Sequence, residues 1–563
     1  MHVDVATGPL RNPIGRLARR RGGFLDHCKR VDSHEIVVCK GQESGGIVKI
    51  SWGSVCGGLL LLLFLFGHAA PVSAIGSTTP PMSQQRSREL EQIIQDAIAE
   101  TRKEKPDAKA VGDTLRGVLA DPIFHTLPDN YRRLAYAIYG AVLFDQDDYQ
   151  AAQAPIVRAT EFPEATEFEW HLRFGTGYRL KDYADAAVAL TALARKWPEK
   201  LADYNDVAIS QTAFKAEENL TAPGAAGDLL EALFAARWRP SNQFSTPSGL
   251  WLALARIRLQ RGDLAGAKEV IGEIKDPEAM LQMHADKRFD PIVRARPSDF
   301  DVMKAYQTWL AQLRALVTAN PDKLEGANTL AELLLKLDRN EEALTVTSAA
   351  IRSYNSNSKF FSDGDDQINW ALDVQSRTLF ALGRSEEAFA ALGEGAGQKE
   401  HAAPNVSQAI NLADQYNLYD RPQEALKSVQ TLDGSEASDY GKMALADARA
   451  CAFFQLADRE NLAKTLKFMK ENAGDGSQPY LNAMLFVGDL DAVAIEVIAE
   501  LRNPQKRLYM LEFLQTYLPS HHPTKRESAI HAAWLAVRAR PEVAAEISKV
   551  GRVESYPLRS PSY

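Results

Sequence analysis

The sequence predicts an all-α fold: a superhelical solenoid of about nine to ten antiparallel helix pairs, closed by a helical cap at its C-terminal end. The segment "LFALGRSEEAFAAL" at residues 379–392 recurs with substitutions in the segments that begin at Tyr178, Leu334 and Tyr416. Apolar residues within each copy follow helical spacing, and copies recur at intervals typical of solenoids. The chain of 563 residues also exceeds the ~100 to 200 residues usual for one domain.

A secretory signal peptide is predicted at residues 48–74. Lys49 supplies the positive charge at its start, and the apolar run "LLLLLFLF" is too short to span a membrane as a helix. The small residues Val72, Ser73 and Ala74 form a suitable cleavage site. We therefore expect a periplasmic or secreted protein, or an inner-membrane-anchored one if the signal is not cleaved.

The signal lies unusually deep in the chain. Residues 1–47 precede it and carry charges of both signs without clear periodicity. We expect them to be a spurious or disordered extension, with translation starting near Val48. A twin-arginine signal at Arg19 is an alternative, but the apolar core follows the arginines only after more than thirty residues and several charges.

Export changes the charge and the cysteine content. The net charge is −8, and removal of residues 1–74, with nine Lys/Arg and five Asp/Glu, makes it −12. Such an acidic chain repels phosphate backbones, so nucleic acid is not an expected partner. Of the four cysteines only Cys451 remains, so the exported form has no intrachain disulfide to hold it together.

The repeat is marked by an alanine near the start of each second helix. Counting the gap from Ala267 to Ala343 as two units, the spacing averages 38 residues. The marked alanines are Ala152, Ala186, Ala232, Ala267, Ala343, Ala388, Ala425, Ala463 and Ala494.

The turn between the two helices of a unit has its own chemistry. Gly383 is suited to the left-handed conformation that ends a first helix, and Asn340 and Ser385 are expected to cap second helices. Acidic pairs such as Glu386 and Glu387 then lie at the positive end of the helix dipole. Pro422 suits a first helical turn.

These features resemble the tetratricopeptide repeat family, whose 34-residue unit places small residues where two helices approach closely. The residues that fall on or within one position of the family pattern in the best unit are Tyr136, Tyr139, Gly140, Leu143, Tyr149, Ala152, Ala159 and Pro163. The resemblance covers roughly residues 90–510, with longer and irregular units. It implies that Cys451, on a small position, is a buried packing residue and not a reactive thiol.

The remaining boundaries follow from composition. We expect a linker at 75–89, the solenoid at 90–518, capping helices at 519–550 and a disordered tail at 551–563. The register breaks at 285–301, where two prolines forbid a continuous helix. This insertion is expected to be a connector or hinge, with a docking loop as the alternative.

Motifs for catalysis, metals and cofactors are not evident. His521, His522 and His531 lack carboxylates or cysteines at metal-ligand spacing, "DGDDQ" at Asp363 lacks the ligands of a calcium loop, and "GEGAGQ" at Gly393 follows a helix. We expect no metal, no cofactor and no catalytic residue, hence not an enzyme.

Two function classes stay open. The favoured one is a non-catalytic scaffold of the cell envelope that binds a protein or peptide on its concave surface. The alternative is an all-helical envelope enzyme, or enzyme subunit, acting on glycan or peptidoglycan.

The resemblance also implies which residues would meet a partner, because positions 2, 5, 9 and 12 of each first helix face the family's groove. The predicted binding residues are Asn328, Glu332, Trp370, Asp373, Arg377, Asp414 and Asn417. The family's Lys and Asn clamp for carboxylates is missing here, so capture of acidic chaperone tails is not expected. Trp370 and Arg377 are the expected anchors, since Trp and Arg often dominate binding energy.

Overall fold

The computed structural model describes residues 82–218, 224–400, 403–432, 434 and 437–560, together with two two-residue strands further upstream. The described residues divide into two compact units. We call residues up to Ser241 the N-terminal unit and residues from Asn242 onward the C-terminal unit. Each unit is a series of helices joined by short turns, with sequential helices packed on each other.

The N-terminal unit consists of helices and one short strand pair. Its helices are α1 (Met82–Thr101), α2 (Ala108–Leu119), α3 (Asp129–Asp145), α4 (Tyr149–Thr160), α5 (Glu167–Arg179), α6 (Tyr183–Lys196), α7 (Asp206–Glu218) and α8 (Ala225–Ala235), with 3₁₀ turns at Phe124–Thr126 and Pro198–Asp203. Strands β1 (Ile36–Val37) and β2 (Lys49–Ile50) pair antiparallel. The helix α1 begins at Met82, inside the segment expected to be a linker.

The C-terminal unit continues the same plan. Its helices up to the middle of the unit are α9 (Ser248–Gln260), α10 (Leu264–Gly272), α11 (Pro277–Ala285), α12 (Asp290–Val293), α13 (Val302–Ala319), α14 (Leu324–Lys336), α15 (Asn340–Ser356), α16 (Gly364–Ala381) and α17 (Ser385–Gly397), with 3₁₀ turns at Lys287–Phe289, Pro297–Phe300 and Ser358–Phe360. The later helices are α18 (Val406–Leu418), α19 (Pro422–Ser428), α20 (Asp439–Gln455), α21 (Arg459–Glu471), α22 (Ser477–Val487), α23 (Leu490–Arg502), α24 (Arg507–Phe513), α25 (Lys525–Arg538) and α26 (Pro541–Val550). The strands are β3 (Lys399–Glu400) with β4 (Ala403–Pro404), and β5 (Thr516–Leu518) with β6 (Ser555–Arg559).

A left-handed residue makes the turn inside eight of the described helix pairs. Gly383 adopts φ 75° as predicted, and the N–H of Arg384 then donates to the carbonyl of Leu379 at 2.9 Å, which satisfies a carbonyl at the end of α16. The residues in this conformation at equivalent turns are Asp147, Lys181, Gly262, Asp338, Gly383, Asp420, Ala457 and Gly488. Most of these positions are not glycine, so the sequence reveals the turn poorly.

The cap of two second helices differs from the prediction. Helix α15 begins at Asn340 and α17 at Ser385, so the N-cap residues are Arg339 and Arg384, and neither cap makes a side-chain hydrogen bond. The acidic pairs do lie in the first turns, as the sequence indicates. Pro422 likewise stands in the first turn of α19.

The repeated alanine lies four residues after the N-cap and packs against the preceding helix. Ala152, Ala186, Ala267, Ala343, Ala388 and Ala425 all occupy this position and are buried. A Cβ on Gly177 would come within 2.9 Å of the Ala186 nitrogen, so the two backbones need small residues on both sides. In α21 the equivalent residue is Leu462, and Ala463 is exposed, so the alignment of that unit is wrong by one residue. The alignment is also wrong by one residue in α23, where Val493 takes the place of Ala494, and Ala232 lies eight residues after the N-cap of α8.

The predicted insertion at 285–301 joins the two ends of the C-terminal unit. Asp286 is fully buried and forms a β-bridge with Gly551. Arg288 donates to the carbonyl of Pro504 at 3.1 Å, and Arg552 holds Asp290 through two contacts of 2.6 and 2.7 Å. The sequence alone predicts a connector here. In the structure this segment makes contacts with residues more than two hundred positions later in the chain and so closes the C-terminal unit.

The C-terminal residues form both a helical layer and a strand. Helices α25 and α26 pack on α22 and α23 through one apolar cluster that includes Trp534, Val543 and Ile547. Residues 555–559, expected to lie in a tail, form β6 in parallel with β5, and Leu558 is fully buried. The expectation of a disordered tail is wrong for this strand, because Tyr556 and Leu558 are buried and the strand pairs with β5.

The predictions for the first 74 residues lie almost wholly outside the described part of the chain. Of the extension and the signal peptide, only β1 and β2 are described. Within the described residues, every helix is too short or too polar to cross a membrane.

Candidate functional site

The first helices of successive pairs in the C-terminal unit present polar side chains to one another. Helices α14, α16 and α18 are of mixed composition, and each buries Asn, Gln or Asp residues. Buried polar groups are stable only when paired. Whether these groups are available to bind another protein depends on whether they are already hydrogen-bonded within the chain.

Three of the predicted residues form one charged cluster. Arg377 contacts Glu332 on α14 at 3.0 Å and Asp373 on its own helix at 3.0 Å. Asp373 also accepts a 3.0 Å hydrogen bond from Asn411 on α18. The one guanidinium is therefore shared by two carboxylates, and the cluster links three consecutive first helices.

Two predicted asparagines act as links between neighbouring helices. Asn328 is fully buried and donates to the backbone carbonyl of Gln367 at 3.0 Å. Asn417 donates to the carbonyl of Ala448 at 2.8 Å, and its backbone carbonyl accepts from the side chain of Gln455 at 3.0 Å. Both side-chain amides thus donate hydrogen bonds from one helix to the next.

Asp414 lies in the same interior beside a second aspartate, Asp447 of α20. Burial raises the pKa of Asp414 well above its ordinary value, and the charge of Asp447 adds to the effect. Burial also raises the pKa of Asp447 to about 7, although hydrogen bonds with Cys451 and Asn482 oppose this. Burial raises the pKa of Cys451 as well, so its thiol stays protonated and unreactive, in line with the packing role predicted for it.

The expectation that the predicted residues face an open groove needs correction. Trp370 is 6% exposed, and Asn328, Asp373, Asp414 and Asn417 are less exposed still. Only Arg377 and Glu332 retain part of their side-chain surface, 22% and 10%. The tight packing of consecutive first helices covers this face, and a role in binding stays a prediction for all seven residues.

Several polar residues of this interior escaped the sequence analysis. Lys336 at the end of α14 lies 3.6 Å from Glu278 on α11 and 3.9 Å from Glu512 on α24. Gln282 on α11 donates to Glu512 at 2.8 Å, which brings the first and last parts of the unit together. A polar residue repeated on an otherwise apolar helix face is the signal that could have found them.

A different face remains partly open in the N-terminal unit. On α5, Phe168, His171 and Tyr178 are half-buried and lie on one side of the helix at spacings of three and seven residues. The Nδ1 of His171 lies 2.9 Å from the hydroxyl of Tyr204, and the hydroxyl of Tyr178 donates to Gln211 of α7 at 2.5 Å. We call these five residues the α5 face.

The titratable side chains of the α5 face are uncharged at neutral pH. Desolvation lowers the pKa of His171 to about 4, so its imidazole is uncharged at neutral pH. Burial raises the pKa of Tyr178 and of Tyr204 far above the ordinary tyrosine value, so both phenols stay protonated. The face therefore presents aromatic rings with neutral hydrogen-bonding groups.

The other motifs that the sequence singled out have structural roles. Asp363 accepts hydrogen bonds from the N–H groups of Leu324 and Glu325 at 2.8 and 3.0 Å, so it caps α14 from the start of α16. The glycine-rich "GEGAGQ" lies at the end of α17. His521 pairs with Asp338, and no group of three or more metal-ligating side chains is gathered in the described residues.

Comparisons with known proteins add little to these contacts. No family model and no curated protein matches the sequence. Among solved structures, the chain is similar to the APC/C hetero-tetramer Cut9–Hcn1, with 13% identity, 82% of this chain and 94% of that one covered, and a TM-score of 0.28. It is also similar to Naa15/Naa10 bound to HypK-THB, with 14% identity, coverage of 80% and 73%, and a TM-score of 0.20.

TM-scores this low carry no argument, so the class of the protein is defined by its own geometry. Consecutive helices pair through left-handed turns, and a small buried residue recurs at one place in the second helix. The chain is an all-α solenoid of irregular, tetratricopeptide-like helix pairs.

Proposed function

We propose that the protein is a non-catalytic protein–protein interaction scaffold of the cell envelope, which binds a protein or peptide partner. The observation that carries the proposal is the half-buried α5 face within an array of helix pairs. Such arrays expose extended surfaces on which peptides bind. The polar interior of the C-terminal unit is occupied by its own helix contacts, whereas His171 and Tyr178 keep part of their surface accessible.

The chemistry of the α5 face suggests what kind of partner segment it would accept. Phe168 and the ring of Tyr178 offer apolar contact and the neutral imidazole of His171 offers a hydrogen bond, while Tyr204, which is 7% exposed, and Gln211 hold His171 and Tyr178 in place. An uncharged peptide segment with an apolar or aromatic side chain fits this set, because it would bury no unpaired charge. The predicted residues Glu332 and Arg377 remain candidates for a second, charged contact.

Capture of partners from an envelope extract tests this proposal. We expect the double variant Phe168→Ala and Tyr178→Ala to lose capture, while Val188→Ala, a change at an exposed residue of α6, retains it. The melting temperature of each variant shows whether the fold is intact. If the double variant folds and still captures the same partners, the α5 face is not the binding site.

A further variant separates the α5 face from the residues predicted by sequence. Arg377→Gln and Glu332→Gln together remove the ion pair; the Glu332 change keeps the side-chain size, and the Arg377 change keeps a polar, uncharged side chain. Loss of capture in this variant alone would assign binding to the first helices of the C-terminal unit.

The envelope location rests on the sequence of residues 48–74. N-terminal sequencing of exported protein should begin just after Ala74, where the small residues end. Recovery of peptides from residues 1–47 in that material would contradict both the start near Val48 and the cleaved signal.

A further inference from the structure

Residues 519–526, "PSHHPTKR", lie along the turns of three consecutive helix pairs. His521 contacts Asp338 at 2.9 Å, the turn residue between α14 and α15. The next histidine, His522, lies against Gly383, where an added Cβ would come within 3.0 Å of its ring. Arg526 donates to Asp420 at 2.8 Å, the turn residue between α18 and α19.

The three contacted residues occupy the same position in their units. Asp338, Gly383 and Asp420 are each the left-handed residue of the turn, with φ of 60°, 75° and 55°. A single exposed segment therefore follows the periodicity of the array, contacting one turn after another. Such periodic contact is the geometry expected of an extended ligand on a repeat protein.

The edge formed by these turns is acidic. Beside Asp338 and Asp420 lie the first-turn carboxylates of the second helices, among which Glu341 and Glu386 are exposed. The arginines next to the turn residues pair with other carboxylates of the first helical turn, Arg339 with Glu342, Arg384 with Glu387 and Arg421 with Glu424, whereas Asp338 is paired with Arg559. We call Asp338, Glu341, Glu386 and Asp420 the acidic turn edge.

The segment that covers this edge is lightly held only up to Pro523, because Lys525 and Arg526 already belong to helix α25. Residues 519–523 are exposed, and the hydrogen bond of His521 and the ion pair of Arg526 lie at the surface, where such ion pairs contribute about 1 kcal/mol or less. Asp338 is also held by Arg559 at 2.7 Å, so its carboxylate stays in place without His521. The guanidinium of Arg526 lies 4.8 Å from the centre of the Phe486 ring, a cation–π contact.

Resting on the proposed function as a protein-binding scaffold, we propose that the acidic turn edge is a docking surface for a partner segment rich in His, Lys and Arg, and that residues 519–526 occupy it in cis. A tethered segment acts at an effective concentration of the order of millimolar, so it competes with any free ligand below that concentration. The edge thus accepts a partner that carries several basic groups at matching spacing or is present at high local concentration.

Binding of a fluorescent PSHHPTKR peptide to the full chain tests this inference by anisotropy. The double variant His521→Ala and Arg526→Gln should bind the peptide about tenfold or more tightly than the unaltered chain, because the cis competitor is weakened. Adding Asp338→Asn and Asp420→Asn to that variant should abolish binding. A PSQQPTQQ peptide should bind none of them, and added salt should weaken the interaction.

Two outcomes would overturn the inference. One is equal binding of the peptide to the unaltered chain and to the double variant, and the other is binding that persists without the two aspartates. If the double variant melts at a much lower temperature, the single exposed change His521→Ala should still give an intermediate increase in affinity. Failure here leaves capture through the α5 face unaffected, so the two proposals fail separately.

Discussion

The small residue near the start of each second helix sets how closely two helices can approach. Ala343 and Ala388 have no exposed surface. We expect Ala343→Asp or Ala388→Asp to bury an unpaired carboxylate and to lower the free energy of unfolding by several kcal/mol, of the order of 3–5.

Ala463 provides a matched control for this prediction. It lies near the start of a second helix in the same way but is exposed on α21. Ala463→Asp should change stability by less than about 0.5 kcal/mol. Thermal and denaturant unfolding of the three variants measures the difference, and equal melting temperatures would contradict the close packing of the pairs.

The buried pair Asp414 and Asp447 should make stability depend on pH. A carboxyl whose pKa is raised by folding keeps its proton in the folded chain at pH values where the unfolded chain has released it. The stability from this pair is therefore present at low pH and falls as the pH rises from about 4, the ordinary aspartate value, to about 7.

Replacing one member of the pair checks this dependence. Asp447→Asn should flatten the curve of unfolding free energy against pH between about 4 and about 7, and stabilise the chain most near neutral pH. Asp475→Asn, an exposed change in the same unit, should leave the curve unaltered. Denaturant unfolding at several pH values gives the curves, and identical slopes for the two variants would contradict the prediction.

At the scale of helices and turns, the left-handed turn is the element that joins eight of the described helix pairs. Gly383 combines a positive φ with close contact to His522. We expect Gly383→Ala to cost about 1 kcal/mol or more, because the backbone and the contact both disfavour a Cβ. Gly393→Ala in the middle of α17 has open space around its Cβ and should be neutral or slightly stabilising. A melting temperature that falls equally in both variants would count against this assignment.

The insertion at 285–301 should couple energetically to the end of the chain. Arg552 and Asp290 form a partly buried, two-contact ion pair across it. A double-mutant cycle with Arg552→Gln and Asp290→Asn should give a coupling energy of about 1 kcal/mol or more. The exposed pair Lys464 and Glu460 on α21 should give only about 0.3–0.5 kcal/mol. Equal couplings would mean that the insertion is a loose connector, as sequence alone suggested.

At the scale of the whole molecule, the last residues matter more than their composition suggests. Removing residues 551–563 deletes β6, including buried Leu558 and Tyr556, and the Arg552 contacts. We expect a loss of several kcal/mol and a clearly lower melting temperature. Removing only 561–563 should change little, and an unchanged melting temperature after the longer truncation would contradict the closure of the C-terminal unit.

The sequence by itself determined the architecture of the repeats. Helical spacing, the alanines and the acidic first turns are local signals, because they depend on contacts within one helix pair, and these contacts lie close together in the chain. The boundaries, the caps at Asn340 and Ser385 and the alignment at Ala463 were less accurate, because helix ends depend on turn geometry that several residue types can adopt.

Only the tertiary structure decided which surfaces remain open. Trp370, Asp373 and Asn417 carry the residue types of a binding groove, but neighbouring helices cover them. Their exposure depends on the angle between successive helix pairs. Many small packing contacts set this angle together, so no single residue determines it. For the same reason the closure by Arg552 and the contacts of residues 519–526 with three turns could not be foreseen, since they join residues 100 to 260 positions apart.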